Sequence, residues 1–373
     1  MSEAMGIIFS NVYDSYMGDL TDVRTSAAIP FGGRYRQVDF ALSNMTNAQI
    51  RHIGIVTKYN YESLMNHLGS CEEWDLELEE KGVVLLPPFA TGHTGVYRGK
   101  LEALYTALDM LENHSTQDYV ILTDTTVLAA VDYAAALRAH EKSGCDITVL
   151  AKAGISNGRR CYSLAVKTDE NGKPVEMAVD YAVPEDYQVS MGMFIISRKL
   201  LIEAIRRMVP HGKYHLERDY IMGGFNSGVL SVNVWSFDGV ALFNESMQEY
   251  YANSMALLDA DVRRGLFHSE IPIYTKPRDE VPTFYGKTAQ VTHCVVADGS
   301  TFNGRCEDSV LFREVRVEEN AVVKDCIVMQ GCRIGTGAEL QYVILDKQVT
   351  VRPYAKLMGS PEHPLYIKKV ATV

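Results

Sequence analysis

The chain has 373 residues, 47% hydrophobic and 22% charged, which excludes disorder as its main state and, at about 150 residues per domain, predicts two or three units. Its 36 basic and 47 acidic side chains give a formal charge of −11, arguing against a nucleic-acid or anionic-membrane surface. No stretch approaches the ~18 uninterrupted apolar residues of a membrane span, and Met1-Ser2-Glu3-Ala4 lacks the basic and apolar regions of a secretion signal. Seven cysteines without a C-x-x-C pair read as reduced small hydrophobes, so the expected location is cytoplasmic.

Four short β-branched runs are predicted to be buried parallel strands: Gly6-Ile7-Ile8-Phe9, Ile53-Gly54-Ile55-Val56-Thr57, Tyr119-Val120-Ile121-Leu122-Thr123 and Asp146-Ile147-Thr148-Val149-Leu150. Between them Leu101, Leu104, Tyr105, Leu108 and Leu111 share one helical face, as do Tyr133, Leu137 and His140. This alternation implies an α/β sheet of Rossmann-like type with helices on both faces. Asp169-Glu170-Asn171-Gly172-Lys173 predicts a hairpin turn. Met193-Phe194-Ile195-Ile196 and 229–235 read as further strands, and 247–258 as a helix.

After Pro272, Pro277 and Pro282 the texture changes. Cys294-Val295-Val296, Ser309-Val310-Leu311, Cys326-Ile327-Val328 and Tyr342-Val343-Ile344 recur at near-constant spacing, with Gly and Asn punctuation. A quasi-fixed period of short strands predicts a solenoid, here a left-handed parallel β-helix of hexapeptide-type repeats; a β-sandwich is the alternative. The domain reading is therefore 1–270 for the α/β domain, 271–285 for a linker and 286–373 for the β-helix.

An α/β sheet takes its ligand at the carboxyl ends of the strands. The loop there, Ser10-Asn11-Val12-Tyr13-Asp14-Ser15-Tyr16-Met17-Gly18, has one glycine and carries Asp14, whereas phosphate cradles need closely approaching N–H groups and few carboxylates. Pro30-Phe31-Gly32-Gly33-Arg34-Tyr35-Arg36 reads as an anion-binding loop, a docking surface, or a turn with two surface arginines. Thr91-Gly92-His93-Thr94-Gly95-Val96-Tyr97-Arg98-Gly99-Lys100 reads as a second anion loop helped by Arg98 and Lys100, or as an ordinary loop and helix cap. Asp124, in Thr123-Asp124-Thr125-Thr126, is a lone carboxylate and weak support for Mg²⁺. His93, His211 and His215 form no zinc set with the cysteines, and no G-x-S-x-G elbow occurs.

Residues 29–44, from Ile29-Pro30-Phe31-Gly32-Gly33 to Leu42-Ser43-Asn44, resemble the P-F-G-G-x-Y-R-x-x-D-F-x-L-S-N block of ADP-glucose pyrophosphorylase, or glucose-1-phosphate adenylyltransferase. Tyr97-Arg98-Gly99 with Ala103, Ser190-Met191-Gly192-Met193-Phe194, and the repeat ending Ile344-Leu345-Asp346-Lys347 extend the resemblance over nearly the whole chain. It implies a nucleotidyltransferase domain followed by a left-handed β-helix. Against the family pattern, the glycines of its first loop G-G-x-G-x-R fall at Asn11, Val12 and Asp14, and the arginine falls at Tyr16. The lysine of the next element falls at Ser26, and the two metal-binding aspartates fall at Thr126 and Phe243. The sugar-phosphate E-K-P is missing at Val179-Asp180-Tyr181-Ala182, while Ser190 remains.

Nucleotidyl transfer rests on stabilising charge at phosphate oxygens, so these losses together predict no catalytic residue and no metal ligand in this chain. What is left is a vestigial ligand-binding set of Arg34, Arg36, Tyr97, Arg98, Gly99, Asp124 and Ser190. The resemblance therefore implies the non-catalytic regulatory subunit of bacterial glycogen synthesis, in a mixed tetramer with a catalytic subunit that alone would handle Mg²⁺ and ATP; self-association is a further expectation. The alternatives are an active sugar-1-phosphate nucleotidyltransferase using Asp124, a β-helix acyltransferase, for which His293 is the one repeat histidine of interest, and a scaffold without ligand.

Overall fold

The structure, a computed structural model, is described for residues 4–12, 14–76, 82–88, 97–155, 160–182, 184–268 and 270–373. The predicted loop at 91–96, with His93, and Tyr13 lie outside the described residues. Strands β1 (Ala4–Phe9), β2 (Ile53–Val56), β3 (Val83–Leu86) and β4 (Tyr119–Asp124) form a parallel set in the order β4-β1-β2-β3. Their near-continuous apolar runs follow from burial on both faces. Ile8, Ile53, Ile55 and Ile121 pack one way, against Val38, Leu42 and Met45 of helix α1 (Gln37–Asn47) and Tyr133 of α2 (Tyr133–Ser143). Ile7, Phe9, Val120 and Leu122 pack the other way, against Leu101, Leu104 and Leu111 and against Leu201 and Ile205 of α3 (Arg198–Met208).

The sheet is mixed, although the four predicted strands all run in one direction. Strand β5 (Ile147–Lys152) does not pair with β4. Beyond it, β6 (Arg160–Thr168) and β7 (Pro174–Ala182) form the predicted hairpin, and β8 (Tyr187–Ser197) runs antiparallel between β4 and β5. β5 finds its parallel partner in β9 (Val232–Ser236). The helical face at 101–111 is also broken. Lys100–Ala103 and Leu108–Asn113 are α-helical, and Leu104–Ala107 between them is a 3-10 turn. Among the described residues no helix is long and apolar enough to cross a membrane.

The C-terminal strands pair in parallel throughout, as a β-helix requires and a sandwich does not. On one face of the coil Val295 sits beside Val310, Val310 beside Ile327, Ile327 beside Ile344, and Ile344 beside Tyr366. The fourth repeat is displaced by one residue from the predicted triplet: Ile344 is in register with Ile327, so the strand starts at Val343 and Tyr342 forms the corner. His293, Asp308, Asp325 and Tyr342 all hold positive φ, from 45° to 53°, and make one turning edge of the coil. His293 is 2.5 Å from Asp308 on that exposed edge. Cys306, Cys326 and Cys332 fill the interior; with Cys71, Cys145 and Cys294 they are free thiols.

The two domains pack closely. Helix α4 (Met247–Ala256) lies against the coil, where Tyr250 and Tyr251 join Val310, Ile327 and Ile344 in one apolar cluster and Tyr251 Oη donates to Asp325 O at 2.7 Å. The segment following residue 270 is tied to α1: Tyr274 N–H donates to Ser43 Oγ at 2.8 Å, and Asn47 Nδ2 donates to Pro272 O at 3.0 Å. Deeper still, Arg24 reaches Asp346 with both Oδ atoms at 2.8 Å, the two side chains 2% and 0% exposed. Asp346 also accepts from Tyr366 Oη and from Lys347 N–H, so its lone pairs are well used. Breaking such a buried pair leaves a bare charge, and Arg24→Met is expected to lower stability by about 3–5 kcal/mol, read from the urea midpoint.

Candidate functional site

Beyond β1 the chain makes two 3-10 turns, Asp14–Tyr16 and Gly18–Thr21. Asn11 Nδ2 donates to Asp14 Oδ2 at 2.6 Å, and Ser26 N–H donates to Asp14 Oδ1 at 3.2 Å. Ser26 Oγ accepts from Val12 N–H at 3.2 Å and donates to Ser10 O at 3.1 Å, while Gln37 Nε2 closes on Ser26 O at 2.7 Å. Burial raises the Asp14 pKa above its ordinary value, against the bonds from Asn11 and Ser26. Asn11, Val12, Asp14 and Ser26 are thus gathered into one self-satisfied knot, with Tyr16 at its exposed rim. Two N–H donors are spent inside the loop and a carboxylate sits among them, the reverse of a phosphate cradle.

Asp124 ends β4 and is 2% exposed. Its Oδ2 accepts from Lys100 Nζ at 2.6 Å, and the same ammonium bonds Glu217 Oε1. Burial opposes the Lys100 charge, but Asp124 and Glu217 more than reverse this and hold the lysine above its ordinary pKa. Gly192, at φ +67°, lies so near that a Cβ there would collide with the Asp124 carboxylate. Ser190 is buried, and its Oγ accepts from Gly192 N–H at 3.1 Å across the irregular part of β8. Thr126 is buried with Oγ1 unpartnered, and Phe243 sits in the core in register with Val127. These residues do not fit a divalent ion: one carboxylate already holds an ammonium, and the other two positions offer a hydroxyl and a phenyl ring. Among the described residues no cluster of three or more His, Cys, Asp or Glu stands ready for a metal.

Arg98 and Lys100, read from sequence as helpers of an anion loop or as part of an ordinary loop and helix cap, are each bonded to acids. Arg98 is exposed, bonds Glu102 through Nε at 3.1 Å, and lies over the Tyr214 ring at 3.5 Å; Lys100 is committed to its two carboxylates. Gly99 lets the chain pass the Tyr214 carbonyl, which accepts from Leu101 N–H at 2.9 Å, and Tyr97 is a core residue.

Arg34 and Arg36 line a different place, a cavity of about 80 Å³ between the domains. Lys276, Arg278, Arg313 and Lys347 join them, with His67 and Gln330, and no carboxylate lines it. Arg36 Nη1 donates to Ser63 O at 2.6 Å, which fixes the side chain. Arg313 is 4% exposed, and its Nη2 has no hydrogen-bond partner. Burial and the neighbouring arginines push the Lys347 ammonium down to about 6, while burial lowers Arg36 to about 10. Six cationic side chains around a small volume that no acid lines form a seat for one oxyanion group, too small for a whole nucleotide.

Residues 13–223 match the nucleotidyl transferase family model, and residues 280–363 match the GlmU-like C-terminal hexapeptide model. The glycogen biosynthesis protein GlgD of Bacillus subtilis is 32% identical over 99% of this chain and 96% of its own length. GlgD of Geobacillus stearothermophilus is 33% identical over the same shares, and the glucose-1-phosphate adenylyltransferase of Clostridium perfringens is 27% identical over 94% and 96%. The chain belongs to the ADP-glucose pyrophosphorylase family.

Within that family frame, the sequence reading passed over Glu217, Lys276, Arg313 and Lys347, and took Lys100 for an anion helper. Nothing in local spacing marks them, because Glu217 lies 117 positions from Lys100 and the cavity is closed only when the coil docks. The one local signal was Lys347 beside Asp346, in a repeat position where a buried cation needs a reason. Gly192→Ala is expected to cost about 2 kcal/mol or more in urea denaturation, since it combines a positive φ with a collision at Asp124.

Proposed function

We propose that this chain is a catalytically deficient regulatory subunit of glucose-1-phosphate adenylyltransferase in glycogen biosynthesis. It associates with a catalytic subunit of the same family and modulates the conversion of ATP and glucose 1-phosphate to ADP-glucose and pyrophosphate. The observation that carries this reading is the knot of Asn11, Val12, Asp14 and Ser26, in which the residues at altered family positions bond one another. Similarity to two GlgD proteins over almost their whole length supports the glycogen role. Phe284 and Tyr285, 61% and 52% exposed on the first strand of the coil, supply apolar surface for subunit contact.

The chain alone should release pyrophosphate from ATP and glucose 1-phosphate at least about 10³-fold more slowly than a catalytic relative, since one lost charge-stabilising group already costs ~10²–10³. Mixing with a catalytic subunit should change its rate or its effector response. Neither Ser26→Lys nor Phe243→Asp alone should restore turnover, because each leaves the first loop without its glycines. Robust activity of the lone chain would favour the active-enzyme alternative.

Regulation fits the interdomain cavity, where an oxyanion would meet Arg36, Arg313 and Lys347. A lysine whose folded pKa lies below its unfolded value costs folding free energy below the unfolded pKa, and the full cost is present beneath about 6. An anion that restores the charge takes up a proton. Sulfate, whose own charge is constant over this range, should therefore bind more tightly as pH falls from 8 to 6, with the trend flattening below that window. Isothermal titration at several pH values measures it, and Arg313→Met should weaken binding throughout.

A further inference from the structure

Lys100 is the one amine in the molecule that bridges two buried carboxylates, Asp124 and Glu217, among the described ion pairs. The two acids come from the end of β4 and from the irregular helix Leu216–Met222, so the ammonium is the link between those elements. Two aromatic rings complete the enclosure: Phe9 and Phe194 have their centroids 5.6 and 5.9 Å from Nζ. The second oxygen of Asp124, Oδ1, is buried without a hydrogen-bond partner. Two carboxylates, one with a free oxygen, inside an aromatic wall describe a cation site, and the cation in it belongs to the chain.

We propose that Asp124 and Glu217 form a cation-binding site which Lys100 permanently fills, so that the tethered ammonium excludes a divalent metal from this end of the sheet. Charge supports this assignment. One positive group between two negative ones leaves the cluster with a net −1, unfavourable for a phosphate and insufficient to draw a metal past the ammonium. Remove the ammonium and two carboxylates face each other across a dry space, which either one divalent ion or a proton must relieve. Carboxylate oxygens that both touch one nitrogen can both ligate one ion after small side-chain adjustments, with Asp124 Oδ1 as a further donor. The inference rests on the catalytically deficient reading and explains one part of it: the barrier to metal is an occupied site as well as missing ligands.

The test uses the full-length protein and Mn²⁺ as probe, with binding followed by electron paramagnetic resonance and melting followed by fluorimetry. Wild type should bind no Mn²⁺ at this site, and its melting temperature in EDTA should be unmoved by added Mn²⁺. Lys100→Met should melt several degrees lower in EDTA, recover with Mn²⁺, and bind one ion per chain; adding Asp124→Asn should abolish that binding. A Lys100→Met variant that folds and takes no Mn²⁺ would overturn the proposal. So would wild-type Mn²⁺ binding that Asp124→Asn removes, a measurement that needs no lysine variant to fold. Pyrophosphate release is a separate readout: an inactive wild type whose Lys100→Met variant ignores Mn²⁺ keeps the deficient reading and loses this one, whereas an active wild type loses the deficient reading itself.

Discussion

The buried ion pair between Arg24 and Asp346 joins two domains whose remaining contact is mainly an apolar cluster, with polar links such as Tyr251 to Asp325 and Lys368 to Asp22 at its edge. Hydrophobic burial by Tyr250, Tyr251 and the coil faces favours docking but tolerates sliding. The charged pair does not, because both Asp346 oxygens accept from one Arg24 nitrogen, Nη2, while Nη1 donates to Leu20 O and holds the guanidinium from its own domain. Arg24 lies just before Ser26, the hub of the first loop, and Asp346 lies just before Lys347, in the wall of the basic cavity. One interaction therefore sets the position of the loop and of the cavity, which explains why a fully buried ion pair is kept despite its desolvation cost.

Charge separates the two candidate places. At the end of β4, two acids surround one ammonium and the account nearly closes within the protein. Between the domains, six cationic side chains line about 80 Å³ without an acid, and the deficit shows as a lysine pushed to about 6 and an arginine nitrogen without a partner. The salt links that exist there, Arg313 to Asp298 at 3.2 Å and Arg278 to Glu314 at 3.5 Å, pull from outside the cavity wall. A protein with a net charge of −11 that sets six cations around one small cavity has spent stability there, which is physically reasonable when a ligand repays it.

The fold was legible wherever pattern and register are local. Continuous apolar runs gave β1, β2 and β4, and the 169–173 turn gave the hairpin, because each depends on neighbours in the chain. The antiparallel passage of β8 between β4 and β5 was not legible, since its run Met193-Phe194-Ile195-Ile196 is apolar whichever direction it takes. Tyr342 misled the repeat count for a related reason: an aromatic residue before two aliphatics looks like a strand start, and only the backbone shows it turning a corner at φ 53°. The altered loop was readable as a departure in residue type. Its internal bonding was not, because Ser26 reaches Val12 across 14 positions through the third dimension.

The retained block at residues 29–44 can now be given a physical reason. Phe31 and Phe40 pack edge to face inside the interdomain core, Asp39 caps α1 through Arg36 N–H at 3.0 Å and meets His67, and Asn44 bonds Ala129 O and Val131 N–H. Each of these side chains holds the frame; Arg34 and Arg36 add charge to the cavity wall. The block therefore ties α1 to the coil on one side and to the chain after β4 on the other, while leaving the loop at 10–26 free to be rebuilt. Rebuilding had to be collective, because the Asp14 carboxylate is tolerable only with Asn11 and Ser26 donating to it, and Ser26 is useful there only with Val12 and Ser10 to bond. A buried polar knot of this kind is stable when complete and costly when half made, so its residues stand or change as a set, joined to the frame through the bond from Gln37 to the Ser26 carbonyl.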